Sequence, residues 1–154
     1  MDLPHRERFF TAIELREPDI VPVTDLGLDP PIIEAITGER SGGFSLIAGS
    51  EKNPWEASVR NRIALSKACL KLGFDAVPAT SDYALCSRRY KPRFLSKTRF
   101  IDEWGRILDS RQETKTTWWV SGTVETEEDM ENYVPPDPEA EGMSEMVEHV
   151  MKPL

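Results

Sequence analysis

Apolar residues along the chain switch between helical and extended spacing, and the switches mark out its elements. From Pro4 to about Glu17, Phe9, Ala12 and Ile13 share one side of a helix, with Arg6, Glu7, Arg8 and Glu14 outside it. The Glu-Pro-Asp step at 17–19 breaks this helix. The β-branched run IVPV at 20–23 then reads as a buried strand ending near Thr24 and Asp25. PPIIEAITG at 30–38 reads as a short helix closed by Gly38, and SGGFSLIAGS at 41–50 as a loop. Trp55 to Leu72 is the clearest element, with Pro54 at its start and Gly73 just past its end. Its charges Glu56, Arg60, Lys67 and Lys71 gather in one narrow stripe, so the rest of its circumference expects cover on more than one side. Asn61 and Arg62 interrupt the apolar arc and need partners. FDAVPAT at 74–80 comes next as a short strand, an α-to-β step typical of alternating α/β folds. If the strands at 20–24 and 74–79 are parallel neighbours, the helices between them form the crossover.

The second half is patterned differently. RFIDEWGRILDSR (99–111) and TKTTWWVSGTV (114–124) alternate in places and are rich in Thr, Trp and Val, which predicts a β-hairpin. Thr126, followed by Glu127, Glu128 and Asp129, signals a helix start. VPPDPEAEG is a turn or extended linker, and residues 143–152 begin a further helix with Met143, Met146, Val147 and Val150 as apolar anchors.

Charge is unevenly spread. Of the net −8, the stretch Val120 to Leu154 supplies ten acids against one base, so the rest of the chain is close to neutral. These acids read as the solvated face of ordinary helices more readily than as an acidic tail for a basic partner. Between Tyr83 and Ile101 there is no acid, while Arg88, Arg89, Lys91, Arg93, Lys97 and Arg99 supply six bases, with Tyr90, Phe94 and Phe100 interleaved. That segment suits a solvated edge strand guarded by positive charge, or an anionic small molecule; nucleic acid is the least favoured partner. No apolar run approaches the ~20 residues of a membrane helix, and the charged MDLPHRERFF opening lacks a signal core, so a cytoplasmic protein is expected.

Nucleotide-binding, nucleophile-elbow and zincin motifs are missing, and His5, His149, Cys69 and Cys86 have no metal-ligand spacing, so no metal site is expected in this chain. Cys69 reads as core, whereas Cys86 lies beside Arg88 and Arg89, whose charges would lower a thiol pKa. The position that geometry favours is Ser81-Asp82-Tyr83, after a parallel strand, where α/β proteins carry their sites. A carboxylate there, with a phenol beside it and bases shortly after, suits proton handling or a cationic group; equally, Asp82 caps the next turn. Asp25, ending the first strand, has the same logic.

These segments together resemble the uroporphyrinogen decarboxylase superfamily. RERFFTAIELREPDIVPV is similar to its opening helix, Glu-Pro-Asp step and first strand; GFDAVPATSDYAL to its second strand with a terminal Ser-Asp pair; DEWGRI to the Asp-Glu-Trp-Gly turn of its methyltransferase-like members. Thr-x-Glu-Asp, then Tyr-x-x-Pro-Asp-Pro, resembles the approach to the next barrel helix. The resemblance implies an α/β fold, the amino-terminal part of a (β/α)8 TIM barrel spanning 1–154, with a hairpin inserted at about 97–124 and the barrel incomplete in this chain.

By the same resemblance Asp82 is the catalytic position, matching the aspartate that holds pyrrole nitrogens in the decarboxylases; Tyr83 beside it, Asp25 at the end of the first strand, and Arg88 and Arg89 of the basic segment are expected to bind substrate. The decarboxylases' Arg-Gln-Ala-Gly-Arg-Tyr stretch is replaced by DLGLDPPIIEAITG, which favours a corrinoid-linked methyltransferase moving a methyl group to a thiol. Decarboxylation of a porphyrinogen-like polycarboxylate is the enzymatic alternative, and a non-catalytic interaction module the alternative of another class. No cofactor is expected in this chain. Zinc, which lowers a thiol's pKa, and a corrinoid belong to a complete methyltransferase, whose zinc-binding His-x-Cys and later Cys would lie past Leu154. The expected partners are a missing carboxyl-terminal half or a second copy of the chain, and a corrinoid protein, with no nucleic acid and no membrane; the isolated chain is expected to be inactive.

Overall fold

The computed structural model describes residues 3–40, 53–78, 86–111, 113 and 116–154. They form a mixed α/β structure: α1 (His5–Ile13), α2 (Pro30–Thr37), α3 (Pro54–Lys71), β1 (Arg93–Phe94), β2 (Arg99–Ile101), β3 (Arg106–Arg111), β4 (Thr116–Gly122), α4 (Glu127–Asn132) and α5 (Glu145–Met151). The Gly-rich stretch at 41–50 lies outside the described residues.

Helix α3 organises the packing. The Asn53 side chain accepts from the Glu56 N–H at its amino end. Its last turns pack Ala64, Leu65, Ala68 and Cys69 against Ile33 and Ile36 of α2, with Leu28, Phe74 and Val77 alongside. Its first turns pack Trp55, Val59 and Ile63 against Cys86, Tyr90 and the α5 residues Met146 and Val150. The helix is therefore covered on two sides, as its narrow charged stripe implied. Val147, counted among the α5 anchors, is instead exposed.

The β region is a meander. Strands β1 to β4 pair antiparallel in sequence order, which extends the expected hairpin into a four-stranded sheet. Phe94, Phe100, Leu108 and Trp119 stand opposite one another across it, and a register shift between Ile107 and Leu108 leaves Val120 as an extra residue on β4. The Asp-Glu-Trp-Gly segment makes the β2–β3 turn. The Asp102 carboxylate accepts from the Trp104 and Arg106 N–H groups (2.9 and 2.8 Å) and from Arg106 Nε (2.6 Å). Gly105 has φ +75°, and a Cβ there would sit 2.6 Å from Thr123 Oγ1, so only glycine fits. Glu103 ties this turn to the α3 layer by accepting from the Ser87 N–H and hydroxyl (2.7 and 2.5 Å). Thr126 and Asp129 form the capping box of α4, each side chain accepting from the other's backbone N–H (3.1 and 2.9 Å).

The two expected barrel strands differ from the sequence reading. Segments 20–24 and 74–78 carry no strand ladder, and the sheet that forms is antiparallel. The segments do lie side by side: the Asp75 N–H donates to the Val23 carbonyl (2.8 Å) and Thr24 Oγ1 to the Ala76 carbonyl (3.2 Å). Contacts advance in the same direction along both, as in parallel neighbours. Pro22 and Pro78 have no N–H to give, and one backbone bond does not make a ladder. Ile20 and Val21, expected to be buried, are 60% and 82% exposed.

Candidate functional site

The side-by-side segments are held by a polar lock that the helical spacing misplaced. Arg8, assigned to the solvent face of α1, is buried. Its Nε and Nη2 bind the two Asp19 oxygens (2.8 and 2.9 Å), and its Nη1 binds Asp75 Oδ1 (2.7 Å). Asp75 also meets His5 Nδ1 (2.8 Å), and its other oxygen accepts the Val23 N–H (2.8 Å). One arginine thus ties α1, the Glu-Pro-Asp step and the Gly-Phe-Asp step together. The bidentate Arg8 fork holds the Asp19 carboxyl well below its usual range, and the Arg8 guanidinium is raised in turn. Burial pushes the Asp75 carboxyl up, but the Val23 N–H, Arg8 and His5 outweigh it, and the net shift is downward.

Both carboxyls are lowered on folding, so their contribution is fully present above the unfolded carboxylate pKa of ~4 and is lost as pH falls below it. The melting temperature is expected to fall steeply between about pH 4 and pH 2. Asp19→Asn, which removes one of the two, should have a lower melting temperature near neutrality and a shallower acid slope; parallel acid slopes for the two proteins would contradict the assignment.

Asp25 comes directly after Thr24, at the end of the first locked segment; it is exposed, and its Oδ1 accepts from the Gly27 N–H (3.3 Å). Burial raises the Cys69 thiol pKa, and the Asp25 charge adds to the shift, which puts Asp25 near the last turns of α3. Asp82 and Tyr83 lie outside the described residues. Along α3, Ser58, Arg62 and Ser66 recur every fourth residue and are all buried, a polar line within the apolar arc. Ser66 Oγ donates to the Pro78 carbonyl (3.2 Å), while Ser58 touches the Cys86 thiol.

The two expected substrate arginines are elsewhere. The Arg88 guanidinium stacks 3.8 Å over the Trp55 ring and binds Glu145 Oε2 through Nη2 (2.8 Å) and Nε (3.2 Å). Its N–H donates to the Glu141 carbonyl (2.8 Å). Together with Trp55, Val59, Arg60, Ile63 and His149 it edges an open groove of about 430 Å³ between α3 and α5. A substrate carboxylate would have to displace Glu145. Arg89 is exposed on the adjoining turn. Trp55 and Cys69 are 14 residues apart on one helix, so Arg88 and Asp25 mark ends separated by roughly 20 Å. The structure therefore does not bring Arg88 and Asp25 into one site.

Cys86 also differs from its sequence reading. It faces the core, away from the arginines, and burial together with Glu103 and Asp102 pushes its thiol up to about 12 despite the Ser58 contact. The native protein should resist alkylation at Cys86 at pH 8 and label quickly once denatured; rapid native labelling, located by peptide mapping, would contradict this. Tyr90 and Phe100 are likewise buried, and burial raises the Tyr90 phenol pKa. Phe94, the third aromatic of the basic segment, is exposed, and the most exposed aromatic rings among the described residues are Trp118 and Trp119, at 60% and 63%, which the sequence reading used only as strand formers.

Among the described residues, no group of three or more His, Cys, Asp or Glu side chains is placed to hold a metal ion. No described helix is long and apolar enough to cross a membrane. No protein-family model, curated protein or solved structure matches the chain.

Proposed function

We propose that this chain forms the amino-terminal wall of a uroporphyrinogen-decarboxylase-like (β/α)8 barrel, within a corrinoid-linked methyltransferase that passes a methyl group to a thiol. The observation that carries the reading is the Arg8–Asp19–Asp75 lock, which holds 20–24 and 74–77 side by side in one direction. Active-site residues of such barrels come after the carboxyl ends of neighbouring strands. Asp25 directly succeeds the first of these segments, and the Ser-Asp-Tyr step at 81–83 comes shortly after the second. In this reading Asp82 is the carboxylate that faces substrate, and Tyr83 and Asp25 flank it. The exposed Ile20, Val21 and Val23 are surface that further barrel strands would cover.

The metal does not fit this chain alone. Cys69 and Cys86 are buried in different clusters, so zinc ligands would have to come from other residues of the complete enzyme. The engagement of Arg88 with Glu145 weighs against the decarboxylase alternative, in which that arginine would bind substrate carboxylates.

The test is reconstitution. The chain is co-expressed with a carboxyl-terminal barrel half carrying the His-x-Cys and later Cys, and the purified pair is assayed for thiol-dependent demethylation of methylcobalamin. A one-to-one complex with that activity, abolished in Asp82→Asn without loss of the complex, is the expected result. A complex that releases carbon dioxide from a porphyrinogen polycarboxylate would replace the methyltransferase reading with the decarboxylase. Absence of any complex would overturn the barrel reading.

A further inference from the structure

The outer face of the β-meander offers an interaction surface that the barrel reading does not use. Alternation along the strands decides which side chains it carries. In β3, Leu108 and Ser110 are buried, so Ile107, Asp109 and Arg111 point the other way. Register then adds Arg93 and Ile101 opposite Ile107, and Arg99 and Trp118 opposite Asp109. Arg93, Arg99, Arg111 and Trp118 are all exposed. The only acid among them, Asp109, is shared with Arg99 at 3.6 Å.

Charge is uneven along the strands of this face, with Arg93 beside the Asp102–Arg106 turn and Glu113 exposed just past Arg111 as the two exceptions. Arg99, Arg111 and Lys97 lie at the end away from the Asp102–Arg106 turn, since Arg99 stands opposite Asp109 and Lys97 precedes it in the β1–β2 turn. Helix α4 lies at the opposite end. The Thr123 N–H donates to the Gly105 carbonyl (2.9 Å), and the Tyr133 hydroxyl to the Trp104 carbonyl (3.0 Å), which anchors both flanks of α4 to that turn. Its Glu127, Glu128 and Glu131 are exposed. From the turn to Arg111 is five strand steps, so the acidic and basic ends stand roughly 17 Å apart with Trp118 between them.

We propose that this face docks a second copy of the chain about a two-fold axis near Trp118. Turning one copy by 180° brings the basic end of each onto the acidic end of the other, so both contacts form at once, as an isologous interface requires. Trp118 supplies a large aromatic anchor at the centre, with Ile101 and Ile107 half-buried beside it, and the arginines form the charged rim. A single-stranded nucleic acid would also suit exposed arginines next to a tryptophan, but it would run onto the acidic end, in a chain of net charge −8. Charge complementarity therefore favours the second copy. The proposal does not depend on the barrel reading: association through the exposed apolar segment at 20–26 would be insensitive to these charges and would not weaken with salt.

Sedimentation velocity over a concentration series tests it. At ~0.05 M salt the mass should rise toward twice the 17.5 kDa of one chain, and the dimer should weaken by about tenfold or more at ~0.5 M. Arg99→Glu/Arg111→Glu and, from the other side, Glu128→Lys/Glu131→Lys should each remain monomeric with near-unchanged circular dichroism. Mixing the two variants should restore a heterodimer. A wild-type monomer at every concentration, a dimer indifferent to both reversals, or failure of the mixture to associate would overturn the proposal. Salt-sensitive binding of a labelled single-stranded oligonucleotide that depends on Arg99 and Arg111, with no dimer, would assign the face to nucleic acid instead.

Discussion

Gly142→Ala is expected to cost about 3 kcal/mol of stability and to release α5 from α3. Gly142 sits at φ +96°, and a Cβ there would lie 2.6 Å from both Arg88 Cγ and Trp55 Nε1 and 3.0 Å from the Arg88 backbone nitrogen. Backbone nitrogen and a buried indole cannot yield cheaply. The Gly142 carbonyl also accepts from Trp55 Nε1 (2.8 Å), so any shift that relieves the clash strands a buried donor. The Trp55–Arg88–Glu145 stack would open with it, and Met146 and Val150 would lose their cover. Urea unfolding followed by tryptophan fluorescence gives the size of the effect. A loss below about 1 kcal/mol would mean that α5 is not fixed through this contact.

Arg8→Met is expected to be at least as damaging, with a fall in melting temperature on the order of 10 °C. The substitution keeps much of the side chain's length but leaves Asp19 and Asp75 facing each other without their shared cation. Asp75 is the worse placed, since its side chain is almost fully buried and it also orders the Val23 N–H. Hydrogen exchange should rise first at Val23 and Asp75, whose N–H groups join the two segments. The double variant Arg8→Met/Asp75→Asn should recover part of the loss, because it removes the uncompensated charge along with its partner. A melting temperature within ~2 °C of wild type for Arg8→Met would show that the lock does not hold the segments.

Local signals in the sequence were reliable where a local rule decides the structure. The Pro54 and Gly73 boundaries of α3, the closure of α2 by Gly38 and the Thr126 cap all depend on residues within one turn, and each is found as read. The β character of 99–124 was legible from its Thr, Trp and Val alternation, but only as a hairpin: β1 and the turn that splits 99–111 into two strands were not read. Helical periodicity failed at Arg8 because what buries it is 11 and 67 residues away, at Asp19 and Asp75. The IVPV run has strand composition, but composition does not supply a neighbouring ladder, and Pro22 withholds a donor. Arg88 looked available to substrate because its partner, Glu145, is 57 residues downstream in a stretch read as solvated helix face. The basic run from Arg88 to Arg99 is not one surface: Arg88 turns inward onto Trp55, while Arg93 and Arg99 join the outer face of the sheet. Cys86 shows the same limit, since sequence adjacency to arginines says nothing of which way the thiol points.

Calorimetry of the isolated chain tests the central claim, that 20–24 and 74–77 are the first staves of a barrel the chain does not close. A self-sufficient domain of 154 residues should absorb about 110 kcal/mol near 60 °C, at ~0.7 kcal/mol per residue, in one sharp and reversible transition. With Ile20, Val21, Val23 and Leu26 exposed and no ladder along either segment, the account predicts a broad transition with well under that enthalpy, accompanied by dye-detectable apolar surface. A single sharp, reversible transition carrying the full enthalpy, from a chain that binds no dye, would contradict it.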